Sequence, residues 1–294
     1  MQGPGPDDIA RATRALGAEP VSWRPATRSG TDVASRWIAA MADGTAAFIK
    51  IGASLDTAAW LRDEHLFYAR TRGRPFMPEL RGWDDDGTCP VLALEDLSDA
   101  RWPPPWDRAL VDAVRACLAA VARTPPPPDL LTERQGQFDL NGWPELRRDP
   151  EPFLRLSVCS ERWLLDVMEP MNEAASRAPL AGDSLLHGDV RGDNLCARDG
   201  GVSLVDWNLA CVGNPRFDVA AWLPSLHAEG GPAPEAILTG EDAAPFAALL
   251  AGYFAARAGR PPIPEAPHVR PLQLSQARTA LPWAARALAL PPPS

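Results

Sequence analysis

The sequence Leu186-His187-Gly188-Asp189-Val190-Arg191-Gly192-Asp193-Asn194 is followed, after a short break, by Val202-Ser203-Leu204-Val205-Asp206-Trp207. The break contains Asp199-Gly200-Gly201 between two short apolar runs, a pattern typical of a β-hairpin turn. Folding the chain about Gly200 makes Asn194 and Asp206 equidistant from the turn. We therefore expect their side chains to lie opposite or nearly opposite each other, about 5 Å apart. Asp189 would lie one short loop upstream, at the same end of the hairpin.

Two carboxylates and one amide oxygen at one end of a hairpin form a ligand set for a hard cation. Mg²⁺ prefers oxygen ligands and usually keeps water and substrate phosphates in its shell. Asp and Asn are also common in ordinary loops, because they adopt turn conformations easily. Either half of the motif alone is compatible with such a loop, whereas the two halves joined by a symmetric hairpin favour a metal and phosphate site.

The composition excludes several classes of protein. The chain has 294 residues and a net charge of -9, without a block rich in Lys or Arg. This length favours two lobes or domains, and the charge pattern argues against nucleic acid as a partner. The longest apolar stretch, residues 246–256, is too short to cross a membrane. The five cysteines form no C-x-x-C pair, which indicates reduced thiols and a cytoplasmic location.

Lys50 is the only lysine in the chain. Residues 36–41 and 45–51 are predicted to form a β-hairpin that turns at Asp43-Gly44, and Lys50 then shares one face of the second strand with Phe48. A lysine in such a strand can also protect a sheet edge from pairing with another chain. Its place near the end of an apolar strand favours a buried partner instead.

Glu64 is the candidate partner of Lys50. The helix that follows the hairpin is expected to be capped by Asp56 or Thr57. Glu64 has apolar and aromatic residues three and four positions away on both sides, so it points along the apolar face of this helix. Asp63 has similar neighbours and is the alternative.

The remaining pattern divides the chain near residue 97. A short helix is expected within residues 1–20, and strands near residues 79–83 and 90–97. Proline runs at residues 103–105 and 125–128 then form stiff connectors. We predict a β-rich N-terminal lobe over residues 1–97 and a helical C-terminal lobe over residues 98–294, in which the hairpin described above is the one β insertion. Its helices are expected over residues 106–123, 160–177, 218–227, 243–258 and 271–289.

These landmarks together resemble the aminoglycoside phosphotransferase family, which belongs to the protein-kinase-like superfamily. The resemblance covers residues 29–256 and rests on Lys50 with Glu64, the connector Leu94-Glu95-Asp96-Leu97, the pattern H-x-D-x-x-x-x-N from His187 to Asn194, and Asp206. It implies an α+β, bilobal, protein-kinase-like fold with a small β-rich N-lobe and a larger, mostly helical C-lobe. It also implies ATP and Mg²⁺ as cofactors.

The resemblance further implies a role for each landmark. Lys50, held by Glu64, would neutralise nucleotide phosphates, and the backbone of Glu95 to Leu97 would meet the adenine edge through its unpaired groups. Asn194 and Asp206 would bind Mg²⁺, and Asp189 would be the catalytic base for a substrate hydroxyl. Two residues would support the catalytic loop, His187 and Asp218, although Asp218 also suits a helix N-cap.

The phosphate-covering loop departs from the usual pattern of such kinases. It contains one glycine, in Ser29-Gly30-Thr31, rather than G-x-G-x-x-G. The backbone N–H groups of these three residues are expected to bind phosphate, and an ordinary turn is the alternative.

The function expected from these features is ATP-dependent transfer of a phosphoryl group to a hydroxyl of a small molecule, by a monomer or weak dimer. An aminoglycoside or another cationic antibiotic is the first choice of substrate. Four acidic residues could line a pocket for it, although a solvated acidic loop is the favoured interpretation: Glu229, Glu235, Glu241 and Asp242. A macrolide, a peptide antibiotic, an amino alcohol or a sugar is also compatible. A catalytically silent binding protein would have lost at least one of Lys50, Asp189, Asn194 and Asp206. Against a protein kinase, Gly213-Asn214-Pro215 follows Asp206 almost at once, which leaves little room for a peptide-docking loop.

Overall fold

The computed structural model describes residues 3–26, 35–52, 54–127, 140–198, 201–264 and 266–294. Its N-terminal part contains a five-stranded antiparallel sheet in the order β1-β2-β3-β5-β4. The strands are β1 (Ser22–Pro25), β2 (Ser35–Ala40), β3 (Ala46–Ile51), β4 (Leu80–Asp84) and β5 (Val91–Glu95), with the helices α1 (Pro6–Leu16) and α2 (Leu55–Arg70). The predicted hairpin is present as β2 and β3. The edge strand β1, which pairs with β2, was not predicted.

The N-cap of helix α2 lies two to three residues before its predicted position. Ser54 is the N-cap, and its Oγ accepts from the backbone N–H of Thr57 at 3.2 Å. Thr57 lies at the third helical position, and its Oγ1 accepts from the Ser54 N–H at 2.9 Å. This reciprocal capping box satisfies two helix-end N–H groups, so the predicted caps, Asp56 and Thr57, are wrong.

The C-terminal part is mostly helical. Its helices are α3 (Arg108–Ala122), α4 (Trp143–Arg148), α5 (Glu151–Leu154), α6 (Glu161–Ala175), α7 (Arg216–Ala228), α8 (Ala243–Ala258) and α9 (Val269–Ala287). The long helices pack around one apolar core in which Trp143, Trp222 and Trp283 are fully buried. The structure is therefore bilobal, with a β-sheet N-terminal part and a helical C-terminal part, as predicted. The division at residue 97 stays a prediction.

Two small β ladders lie in the helical part and frame the motif. Strands β6 (Ser184–Leu186) and β9 (Cys211–Gly213) pair with each other, a pair that was not predicted. Strands β7 (Leu195–Arg198) and β8 (Gly201–Leu204) form the expected hairpin. Leu195 pairs with Leu204, so Asn194 faces Val205 and Asp206 lies one residue further along. The predicted register is therefore wrong by one residue, and its turn residues, 199–200, lie outside the described residues.

Within the described ranges, no helix is both long enough and apolar enough to cross a membrane. All five cysteines are free thiols. Burial raises the pKa of Cys117 and of Cys196 to about 12.

Candidate active site

Lys50 lies near the end of β3, and its ammonium group is buried between two carboxylates. Its Nζ donates to Oε1 and Oε2 of Glu64 at 2.9 Å each, and also to Oδ1 of Asp206. Glu64 reaches it from α2, and both Lys50 and Glu64 are 2% exposed. The predicted contact between these two residues is present, and Asp206 joins it from the C-terminal lobe. One ammonium group therefore connects the sheet, α2 and the hairpin.

Asp206 is held in a left-handed backbone conformation, with φ 62° and ψ 60°. This conformation is unfavourable for a residue with a Cβ, and such strain is concentrated at functional sites. Burial disfavours the ionised carboxylate, but the positive charges of Lys50 and Arg36, together with the hydrogen bond from Lys50, outweigh it and hold the pKa of Asp206 well below its usual range. Asp206 is therefore an anion over the whole working range of pH.

Trp207 fixes the position of Asp206 by packing. Its fully buried indole stacks on Phe67 of α2, with ring centroids 4.7 Å apart, and meets the edge of His187 at 4.5 Å. Its Nε1 donates to the carbonyl oxygen of Leu204 at 2.9 Å. The hairpin is thereby attached to the N-terminal lobe beside the ion pair.

Asn194 and Asp189 are in direct contact. Nδ2 of Asn194 donates to Oδ2 and to the carbonyl oxygen of Asp189, both at 2.9 Å. Its other amide atom, Oδ1, is buried and has no hydrogen-bond partner among the residues that the structure describes. A buried polar atom without a partner is costly, and a carbonyl-type oxygen is a suitable ligand for a hard cation. The structure therefore leaves this atom available for a ligand while the amide nitrogen holds the carboxylate of Asp189.

The backbone before Asp189 is held by Asp218, the third residue of α7. Oδ2 of Asp218 accepts from the His187 N–H at 2.6 Å and Oδ1 accepts from the Gly188 N–H at 2.9 Å. The N-cap of α7 is Pro215, so the alternative that Asp218 caps this helix is wrong. Burial raises the pKa of Asp218, although the two hydrogen bonds from the backbone of His187 and Gly188 oppose that rise.

His187 is fully buried and braces the loop. Its Nδ1 accepts from the Asp189 N–H at 3.2 Å, and its Nε2 lies 2.8 Å from the carbonyl oxygen of Val205. These partners assign a neutral ring with its proton on Nε2, because a carbonyl oxygen can only accept. His187 therefore links the loop to the hairpin, and both its ring nitrogens are used within the protein.

Gly188 is required in the middle of this loop for two reasons. Its φ is +82°, in the region that favours glycine. A Cβ added there would overlap the carbonyl oxygen of Leu209. The close approach brings the chain of residues 187–189 against the segment that leads into β9.

A cleft between the sheet and the hairpin encloses about 730 Å³ of non-atom space, part of it open solvent. Lys50 and Asp206 line it at one end, and the connector residues Glu95 and Leu97 line it at the other. The connector is less open than predicted: the Glu95 N–H donates to the carbonyl oxygen of Glu79 at 2.8 Å, and the Leu97 carbonyl accepts from Trp102 Nε1 at 3.0 Å. The expectation that all its backbone groups are unpaired is therefore wrong for these two.

Arg36 is a cleft residue that was not predicted. It is 7% exposed, lines the cleft, and pairs in register with Lys50 across β2 and β3. Counting back from the predicted turn at Asp43-Gly44 places Trp37 opposite Lys50 and Arg36 one residue further along, so the sequence signal for this pair was one residue out of register. A second cation therefore lies next to the only lysine.

A second, larger cavity lies on the other side of the catalytic loop, with about 1,230 Å³ of non-atom space, part of it open solvent. Asp189 lines this cavity and is absent from the lining of the first one. Arg191 also lines it, with Nη2 3.4 Å from Oδ2 of Asp189. Arg191 was not predicted, and its signal was a basic residue placed between Asp189 and Asp193.

The four acidic residues expected to line a substrate pocket do not line this cavity. Glu229 accepts from Trp106 Nε1 at 2.9 Å, and Glu241 is exposed. Glu235 and Asp242 form ion pairs with arginines, Arg286 and Arg216. The lining role is therefore wrong for all four, and the alternative of a solvated acidic segment fits Glu241 best.

The residues present fit a metal held jointly with phosphate. Asn194 provides the unpartnered Oδ1, and Asp206 provides an ionised carboxylate. No group of three or more His, Cys, Asp and Glu side chains that could hold a metal occurs in the described part of the chain. The loop residues Ser29, Gly30 and Thr31 lie outside the described residues.

Comparisons with known proteins agree with this geometry. The sequence model of the phosphotransferase enzyme family matches residues 45–222. A search of curated proteins gave no match.

Solved structures share the fold at low sequence identity. A choline/ethanolamine kinase family protein from Mesorhizobium loti is 15% identical, with a TM-score of 0.56, and the match covers 96% of this chain and 98% of that one. An aminoglycoside phosphotransferase from Alicyclobacillus acidocaldarius is 15% identical, with a TM-score of 0.55 and coverage of 98% and 95%. Amicoumacin kinase in complex with AMP-PNP, Ca²⁺ and Ami is 13% identical, with a TM-score of 0.51 and coverage of 96% and 91%. Since these identities are low, the similarity shows the fold alone.

Proposed function

The chain belongs to the phosphotransferase enzyme family, and from this premise we propose that it transfers the γ-phosphate of ATP to a hydroxyl group of a small molecule. The observation that carries the proposal is the placement of the charged groups in two adjoining cavities. Lys50 and Asp206 line the cleft beside the connector, whereas Asp189 lines the cavity on the far side of the same loop. Such a division suits a nucleotide on one side and an acceptor on the other.

The nucleotide would bind in the first cleft. Its adenine would lie against the connector of Glu95 to Leu97, and its phosphates would extend toward Lys50. Glu64 would orient the ammonium group, because it holds Nζ through both carboxylate oxygens. Arg36, beside Lys50, would add a second positive charge. Ser29, Gly30 and Thr31 are proposed to cover the phosphates through their backbone N–H groups.

Asn194 and Asp206 are the residues that would hold Mg²⁺, through Oδ1 and a carboxylate oxygen. When bound, Mg²⁺ would neutralise charge on the phosphates of the nucleotide. In the structure Asp206 contacts Lys50 directly, so one end of the cleft is already balanced in charge without a nucleotide. Asn194 would also position Asp189, because its Nδ2 donates to Oδ2 of Asp189.

Asp189 would act as the catalytic base at the acceptor. The acceptor oxygen would form a bond to the γ-phosphorus as the bond from that phosphorus to the bridging oxygen breaks, and ADP would leave. The hydroxyl proton would pass to Asp189. This transfer needs mostly positioning and charge stabilisation, and the contacts from Asn194 and Arg191 supply the positioning of the carboxylate. His187 and Asp218 would hold the loop.

The same geometry opposes the alternative of a catalytically silent binding protein, because Lys50, Asp189, Asn194 and Asp206 are all present. Antibiotic resistance would follow if the acceptor is an antibiotic. We keep a cytoplasmic location as part of the proposal, because all five cysteines are free thiols.

Isothermal titration with ATP in the presence and absence of Mg²⁺ tests the nucleotide side independently of any acceptor. We expect the wild type to bind ATP more tightly with Mg²⁺, and Lys50→Ala to weaken that binding about tenfold or more, because a charge-assisted contact contributes about 1.5–3 kcal/mol. Asp189→Asn should leave the affinity unchanged, like the control Asp183→Asn at an exposed position. Absence of ATP binding by the wild type would refute the proposed function.

A further inference from the structure

The wall of the second cavity is unusually apolar for an acceptor site that faces a catalytic carboxylate. It is formed by the catalytic loop, β6, β9, α7, α8 and α9, which come from distant parts of the sequence. Its apolar side chains include Leu180, Leu209, Phe217, Leu250, Phe254 and Leu272.

The charges at this cavity are unfavourable for a cationic ligand. Among the described lining residues, Asp189 is the one carboxylate, and Arg191 lies against it. The guanidinium of Arg257 lies over the ring of Tyr253, 3.9 Å from its centroid. Arg270 donates from Nη1 to Oε1 of Gln273, a lining residue, at 2.8 Å, and Arg260 is paired with Glu145. A polycation that entered this cavity would lose its hydration and would gain only one carboxylate, that of Asp189, which already contacts Arg191.

The remaining polar groups of the wall are uncharged. Tyr253, Gln273 and Gln276 line the cavity, and each can donate and accept hydrogen bonds. Oε1 of Gln273 accepts from Arg270 at 2.8 Å, so its orientation is fixed. A few placed polar groups on an apolar surface are typical of sites that orient a neutral ligand.

From these observations we infer that the acceptor is an uncharged, largely apolar molecule that carries a free hydroxyl. Its apolar body would pack against α8 and α9, and its hydroxyl would lie at Asp189. The hydroxyl oxygen would take the γ-phosphoryl group, its proton would pass to Asp189, and ADP would leave from the other side of the loop. This inference rests on the proposed function and replaces the expected cationic antibiotic with an apolar alcohol.

The experiment measures ADP release with Mg-ATP and two acceptor panels. The first panel contains uncharged macrolactones and polycyclic alcohols, and the second contains aminoglycosides and amino alcohols. We expect kcat/KM to be at least tenfold higher for the best member of the first panel. The inference would be overturned if turnover were confined to the second panel. It would also be overturned if the first panel gave no turnover while titration showed that Mg-ATP still binds. Either outcome would leave the proposed function standing.

Two matched variants of α9 test the position of the acceptor. Leu272 lines the cavity, whereas Leu274 is equally half-buried on the same helix and does not line it. Leu272→Glu should lower kcat/KM for apolar alcohols at least tenfold and shift the preference toward amine-bearing alcohols, with the Kd of Mg-ATP within twofold of wild type. Leu274→Glu should change neither value more than twofold. Equal effects of the two substitutions would show that this wall does not bind the acceptor.

Discussion

Replacing Asp218 tests how the catalytic loop is held, because one carboxylate supports two consecutive backbone N–H groups. The His187 N–H lies 2.6 Å from Oδ2 and the Gly188 N–H lies 2.9 Å from Oδ1. Asp218→Ala removes both acceptors and adds none. Asp218→Asn keeps the shape and one acceptor oxygen, but its NH₂ group must then face the other N–H.

The expected loss of stability follows from the burial of the two N–H groups. An unsatisfied buried donor costs about 1–3 kcal/mol. His187 is fully buried and Gly188 is half-buried, so the first donor should cost the larger part and water can reach the second. Part of the loss is offset because a buried carboxylate is no longer desolvated. We expect Asp218→Ala to lower the free energy of unfolding by about 2–4 kcal/mol, and Asp218→Asn by about half of that.

Urea unfolding followed by tryptophan fluorescence measures these values, and Asp242→Ala is the control. The Asp242 carboxylate pairs with Arg216, a half-exposed side chain at the start of α7, the helix that also carries Asp218. Such a pair contributes about 0.2–1 kcal/mol. In the folded Asp218→Asn variant, kcat should fall more than tenfold, because the backbone that carries Asp189 shifts. The Kd of Mg-ATP should stay within threefold, because Lys50, Glu64 and Asp206 keep their contacts.

The pH dependence has a defined sign. Burial raises the pKa of Asp218 above its ordinary value of 3.8, so the folded protein holds this proton more tightly than the unfolded chain does. The stabilisation that comes from this tighter proton binding is fully present below the pKa of Asp218 in the unfolded chain. It is lost as the pH rises through the pKa of Asp218 in the folded protein. The wild type should therefore lose stability relative to Asp218→Asn as the pH rises from 3.8. If Asp218→Ala destabilises no more than Asp242→Ala, the loop is held by other contacts and the reasoning fails.

Four further outcomes are expected. Asp189→Ala should abolish ADP release while the Kd of ATP stays within a few-fold; turnover at the wild-type rate would refute its role as base. Asp206→Ala should remove the Mg²⁺-dependent part of nucleotide affinity in a titration, and an unchanged Mg²⁺ effect would refute its role as a ligand. Gly188→Ala should destabilise more than Gly230→Ala, because both residues have positive φ but only Gly188 has a backbone oxygen in the way; equal thermal shifts would exclude the clash. The pKa of Asp206 is lowered in the folded protein, so the stabilising contribution of its carboxylate is present above the unfolded pKa and is lost in acid. The difference in unfolding free energy between wild type and Asp206→Asn should therefore shrink as the pH falls below 3.8.

The sequence predicted the contact between Lys50 and Glu64 correctly because its signals are local. A strand of period two places Lys50 on one face, and a helix of period 3.6 places Glu64 on the apolar face opposite it. Only one pairing then brings the two charges together. The structure has this contact, with both side chains buried. The role of the pair in binding phosphate stays a prediction.

The errors in the fold also have physical causes. The hairpin register was wrong by one residue because an Asp-Gly-Gly sequence allows more than one turn centre, and a shift of one residue changes every pair. Strands β6 and β9 were missed because each has three residues, too few to show a period. The cap of α2 was placed inside the helix because Ser54, Asp56 and Thr57 are all capping residue types. Only the capping box in the structure distinguishes them.

The character of the second cavity could not be predicted, because it arises from contacts between distant segments. The four acidic residues suggested a pocket for a cationic substrate, yet the charges that matter are those within a Debye length of the cavity, about 8–10 Å at physiological salt. There Asp189 faces Arg191, and Arg257 lies on Tyr253. Meanwhile Glu235 and Asp242 are neutralised by arginines from other elements. An acidic chain can therefore carry a largely apolar cavity whose carboxylates and arginines are paired with each other, and the partners of each carboxylate, rather than the number of carboxylates, determine the charge that such a cavity presents.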